Sequence, residues 1–218
     1  MEDSNGERSK TQKKGRLFRP VSINLAGLIL LLILLTVVPA TVYLSLRQIQ
    51  THERWFWEGR ASQDFDWDLI DACAQLNNTY FSQPSTNTST ENTILQYWFY
   101  LDINNAGVAI GDLAILDSEH TTELIVFSTM LITINSKGQG YLEWINTTER
   151  SNIATKIETV GKELVSAYWN PLNGTSVARG SGPPFWYLGP APPDETILKQ
   201  AVELATNITE QISQAING

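Results

Sequence analysis

The chain has 218 residues and a formal net charge of −8, from 23 Asp and Glu against 15 Lys and Arg. Without its N-terminal segment about 170 residues remain, enough for one domain with a real core and too few for two. Residues 1–22 carry six basic and three acidic groups, and residues 47–218 carry nine basic and twenty acidic. That acidic balance repels polyanions and excludes nucleic acid and anionic headgroups as expected ligands.

Residues 1–22 are polar and basic, with Arg8, Lys10, Lys13, Lys14, Arg16 and Arg19 following the last acid, Glu7. This tail is expected to be disordered and too short for an output domain. Ile23 to Leu46 then runs without a charged residue, and about 20 apolar residues are what a helix needs to cross the hydrocarbon core. The basic flank keeps the N-terminus in the cytoplasm, which puts everything after Leu46 outside it. Residues 23–46 therefore read as a single-pass, uncleaved signal-anchor. The alternative is a cleaved signal peptide, with small residues around Val38-Pro39-Ala40, and it leaves the domain on the same side.

Residues 47–78 read as a membrane-proximal helix, whose apolar positions Phe65, Leu69, Ala72 and Leu76 recur at helical spacing. Trp55-Phe56-Trp57, between Arg54 and Arg60, suits the membrane interface, where amphipathic aromatics concentrate. Packing against the outer domain or a partner is the other reading. The acidic run Asp64 to Asp71 resembles a calcium loop only superficially, because the turn glycine and the closing bidentate Glu are missing. On a helix, Asp64, Asp68 and Asp71 share a face, and like charges at that spacing cost a few tenths of a kcal/mol. No metal site is expected. Cys73 is the only cysteine, which rules out an internal disulfide and points to a prokaryotic envelope. Its apolar neighbours make it a buried small hydrophobe, with an intermolecular disulfide as the alternative.

Residues 79–218 read as an α+β domain of two layers. After an Asn-, Thr- and Ser-rich loop over 77–93, the segments 94–103, 108–116, 123–134 and 139–145 are rich in aromatic and β-branched residues. They are separated by the turn-like Asn104-Asn105-Ala106-Gly107, Asp117 to Thr121 and Asn135-Ser136-Lys137-Gly138. This pattern predicts a four-stranded antiparallel meander, with Glu123 to Ile134 central because both of its faces are apolar. Two helices complete the domain. One carries the stripe Ile153, Ile157, Val160, Leu164 and Tyr168. The other carries Ile197, Ala201, Leu204, Ile208, Ile212 and Ile216, with Asp194 as its N-cap. Between them, residues 170–193 hold six of the nine prolines.

That loop contains Phe185, Trp186 and Tyr187, three adjacent rings between prolines, a pattern suited to partner binding. A lid over the sheet is the structural alternative. Glycosylation acceptor triplets lie at Asn77, Asn87, Asn146, Asn173 and Asn207, all beyond the apolar run. Catalytic patterns are thin. His52 and His120 are the only histidines, neither has a metal-ligand spacing, and no nucleophile elbow or phosphate loop occurs.

The sequence thus predicts a non-catalytic, membrane-anchored extracytoplasmic interaction protein with no cofactor. It would be an accessory or assembly subunit whose partner is another membrane or envelope protein. A ligand-sensing module signalling through a partner is the alternative, and a hydrolase the minor one.

Overall fold

A computed structural model describes residues 25–81, 89–170 and 189–217. The chain divides into two units, Met1–Leu46 and Arg47–Gly218. The long helix α1, Leu25–Leu76, contributes to both.

Within the first unit, the part of α1 up to Leu46 has no buried residue. It is apolar on all sides, which is how a membrane span differs from the one-sided helix of a soluble domain. Pro39 lies inside it, and such a proline is tolerated in membrane helices, where neighbouring groups re-satisfy the backbone. Among the described residues this is the one helix long and apolar enough to cross a membrane.

The described residues of the second unit form helices and no sheet, so it is not α+β. After α1 come a 3₁₀ turn at Thr79–Phe81 and then α2 (Ser89–Leu116), α3 (Thr121–Ser136), α4 (Gly138–Trp144), α5 (Thr147–Trp169) and α6 (Glu195–Asn217). The described residues contain no strand, so the four-stranded meander is replaced by α2, α3 and α4.

The reason lies in spacing. Phe99, Ile103, Ala106, Ile110 and Leu113 are all buried, at alternating steps of four and three residues, which is one face of a helix. Leu124, Phe127, Leu131 and Ile134, at steps of three and four with Met130 beside them, form the buried face of α3. Aromatic and β-branched residues favour strands only weakly, and tertiary packing overrides that preference. The segment 123–134 looked two-sided because Ile125 and Ile132 stay exposed on the outer face of α3. Asn104 to Gly107 makes no turn. Asn104 Oδ1 instead accepts a 2.9 Å hydrogen bond from Asn135 Nδ2 across α2 and α3. The other two breaks are real: residues 117–120 separate α2 from α3, and Lys137 alone separates α3 from α4.

The expected faces of α1 and α5 are present, and α6 buries Ala201, Ile208 and Ile212 of its expected stripe but leaves Ile197 and Leu204 half-buried and Ile216 exposed. Phe65, Leu69, Ala72 and Leu76 of α1 are fully buried, as are Ile157, Val160, Leu164 and Tyr168 of α5. Asp194 Oδ1 caps α6, accepting from Thr196 N at 2.9 Å and Ile197 N at 3.2 Å.

Neighbouring helices run in the order α2, α3, α6, α5, and α1 closes the ring. It meets α5 where the Cys73 thiol donates to Ala154 O at 3.2 Å, and α2 where Gln75 Nε2 donates to Asp102 Oδ2 at 2.8 Å. At Gly161 of α5 a β-carbon would lie 3.1 Å from the Cα of Asp66, so a glycine there lets the two backbones approach. Across the ring, Phe65 of α1 meets Phe127 of α3 edge-on, with ring centroids 6.0 Å apart.

Candidate functional site

Two polar constellations stand out from this apolar bundle. The first is a groove of about 560 Å3 between α1 and α2. Trp57, Arg60, Ala61, Asp64 and Asp68 line it from α1, and Asn105, Val108, Ala109, Asp112, Ile115 and Leu116 from α2. Each set follows three- and four-residue steps, so each is one helix face. Ala61 and Ala109 are the small buried residues of its lining, and Trp57 and Ile115 its large exposed ones.

Its charge is lopsided. Arg60 is the only basic residue in the lining. Its Nη2 pairs with Asp64 Oδ1 at 3.0 Å, its Nη1 donates to Gln63 Oε1 at 3.2 Å, and its guanidinium lies 5.8 Å from the Trp67 ring centroid. Asp68 and Asp112 have no ion pair among the described residues. Burial, followed by the charges of Asp102, Asp64 and Asp71, pushes the Asp68 carboxyl up to about 6. Burial and Asp71 also raise Asp102. Asp64 is balanced by Arg60 and Asp102 accepts from Gln75, whereas Asp68 sits chiefly among other carboxylates.

The second constellation is a clasp around Asp117, at the end of α2. Its Oδ2 accepts from the Tyr168 hydroxyl at 2.7 Å and faces His120 Nδ1 at 2.8 Å. Its Oδ1 accepts from the backbone N–H of Glu119 at 3.2 Å and of His120 at 3.3 Å. The other ring nitrogen, His120 Nε2, lies 2.8 Å from Glu195 Oε1. A neutral imidazole has one N–H, so two carboxylate partners select the imidazolium. Burial opposes that charge, but the bonds to Glu195 and Asp117 outweigh it and raise the His120 pKa. With both nitrogens donating, the ring has no lone pair for base chemistry, and the clasp ties the α2–α3 loop to α5 and α6.

Glu58 lies beside this clasp and is almost fully buried. Arg54 Nε is 3.0 Å from its Oε1, yet neither carboxyl oxygen has an aligned hydrogen-bond donor. Burial, with smaller contributions from Asp117 and Glu119, pushes the Glu58 carboxyl up to about 7 against the pull of Arg54.

The residues singled out in the sequence fall into different settings. Phe56 turns inward against Trp169, with centroids 6.1 Å apart, Trp55 is half-buried, and Trp57 points outward at 55% exposure. Phe185, Trp186 and Tyr187 lie outside the described residues, as do Asn87 and Asn173. Asn77, Asn146 and Asn207 are exposed, and Asn146 caps α5 by accepting from Glu149 N at 2.9 Å. Cys73 is buried, and burial pushes its thiol up to about 12. Among the described residues no cluster of His, Cys, Asp and Glu converges to hold a metal ion.

Sequence reading noticed Asp64 and Asp68 but not their α2 counterparts, because Asn105, Val108 and Asp112 had been placed in a turn and a strand. The helical steps of α2 were the available signal. The reach from His120 to Glu195, 75 residues on, left no local trace. Compared with protein-family models, curated proteins and solved structures, the chain matches none.

Proposed function

We propose that this is a membrane-anchored protein whose acidic helical domain lies outside the cytoplasm and acts by docking on another membrane or envelope protein. The observation that carries the reading is the number of large apolar side chains left exposed on α2, α3 and α4. Tyr97, Trp98, Val108 and Ile115 of α2, Ile125 and Ile132 of α3, and Trp144 of α4 are all exposed. Isolated exposed apolar residues are ordinary, but a concentration of large ones marks an interaction surface. The basic segment before the apolar run supports the inward N-terminus. The proline-flanked Phe185-Trp186-Tyr187 segment is proposed as a second partner contact, and Trp55 as the ring nearest the membrane interface.

The test is purification of the full-length protein from its native membranes in mild detergent. A stoichiometric partner is the expected result, and Trp186→Ala should weaken its recovery without shifting thermal unfolding. A lone monomer from gently extracted membranes would overturn the docking reading. Peptides from the Lys14 to Arg19 region should be present in the mature chain, and a mature N-terminus near Thr41 would sink the retained anchor. Ligand sensing is the second reading, favoured by the size of the α1–α2 groove, which falls in the range of small-molecule sites.

A further inference from the structure

We propose that the α1–α2 groove is the seat of a cationic amphipathic helix from the partner protein, with its basic side chains over Asp68 and Asp112 and its apolar side chains against Trp57, Val108 and Ile115. This rests on the docking reading above and names the chemistry of the segment that docks.

Three observations carry it. Trp57 on one wall, Val108 at 65% and Ile115 at 79% exposure on the other, present apolar surface to whatever enters. The lining extends over Trp57 to Asp68 on α1 and Asn105 to Leu116 on α2, which at 1.5 Å per residue is about 16 Å, or three turns of a docked helix. The carboxylates recur along that length. Asp64 and Asp68 are one turn apart on α1, and Asp112 stands on the opposite wall.

Basic residues on the incoming helix would meet Asp68 on one wall and Asp112 on the other, the two lining carboxylates with no ion pair among the described residues. Complementary charge on the walls and apolar contact at the middle are the elements of helix-in-groove recognition. A small organic amine satisfies one carboxylate and leaves the rest of the groove bare. The extended lining therefore favours the helix.

The experiment uses full-length protein in zwitterionic nanodiscs, titrated by calorimetry with empty nanodiscs subtracted. The probes are a leucine–lysine helical peptide of about three turns, its leucine–glutamate counterpart, and hexylammonium. The lysine peptide should bind and weaken with added salt, and the glutamate peptide should not bind. In the double variant Asp68→Asn, Asp112→Asn its Kd should rise about tenfold or more. That variant removes mutual repulsion, so its unfolding midpoint should stay at or above wild type, separating lost binding from lost fold. Ile115→Ser, at a position 79% exposed in the free protein, should also weaken binding.

Equal affinity in the Asn variant overturns the proposal. So does equal affinity in Ile115→Ser, which would leave a purely ionic contact, or full displacement of the peptide by hexylammonium, which would make the groove a small-cation pocket. The native complex separates the two levels of inference. A complex that survives the Asn variant intact removes the groove from docking but keeps the docking reading, whereas a wild-type protein without any partner removes the docking reading itself.

Discussion

At the Asp117 clasp each carboxylate oxygen has donors aimed at it, whereas in the α1–α2 groove Asp68 finds chiefly other carboxylates. Both regions are acidic, and the difference is one of completion inside the fold. A buried carboxylate persists where hydrogen bonds replace the water it has lost. A half-exposed one tolerates repulsion because solvent screens it, and it gains when a cation arrives. The clasp is therefore satisfied within the fold, whereas the groove keeps uncompensated carboxylate charge at Asp68.

The sharpest way to break this comparison is to remove the centre of the clasp. Asp117→Ala leaves the His120 ring, the Tyr168 hydroxyl and two backbone N–H groups without their acceptor. We expect a loss of about 3–5 kcal/mol in denaturant unfolding, the range for breaking a buried charged pair. A loss no larger than that of a typical surface change would mean that the clasp is ornamental.

Tyr168→Phe deletes one donor and keeps the ring. The same measurement should give about 1–3 kcal/mol, the penalty of an underbonded buried acceptor.

The pH dependence sharpens the contrast further. The His120 pKa is raised above its ordinary 6.5, so the clasp's contribution is fully present below that value and is lost as pH rises through the raised one. Glu58 is raised from 4.5 to about 7, so the folded state holds a proton that the unfolded chain has released, and stability again falls as pH climbs across that window. Both effects have the same sign. The urea midpoint of the full-length protein should decline from pH 5 to pH 8, and His120→Gln and Glu58→Gln should each flatten that decline. A midpoint that rises over this range would contradict both assignments.

The smallest expected effect is in the groove. Asp68→Asn removes one like charge from a partly solvated cluster and should stabilise the protein by a few tenths of a kcal/mol, an effect that added salt erases. A marked destabilisation would show that Asp68 has a structural partner of its own.

The helical stripes of α5 and α6 were legible because their buried residues sit among polar ones, so the 3.6-residue period is clean. Those of α2 and α3 were obscured because exposed positions such as Val108, Ile115, Ile125 and Ile132 are also apolar. A run that is apolar on several faces loses its period, and strand preference then fills the gap. The surface that hid the helices is the same surface that supports the docking reading.

The candidate site was legible in halves. Asp64, Asp68 and Trp57 drew notice as an acidic run and an aromatic cluster, but nothing local tied them to Asp112 or Ile115. His120 read as an ordinary polar turn residue, since both Tyr168 and Glu195 that complete its surroundings lie far along the chain.

Sequence alone determined the charge-free run before Arg47, the acidity of residues 47–218, the single thiol, the apolar stripe of α5 and the Asp194 cap of α6. These depend on composition and on contacts within a few residues. Only the tertiary structure decided that residues 94–144 are helical, that α1 and α2 enclose a groove, and which carboxylates are satisfied. Those outcomes depend on pairs of side chains brought together across tens of residues, where the energy of packing outweighs the local preferences that a sequence displays.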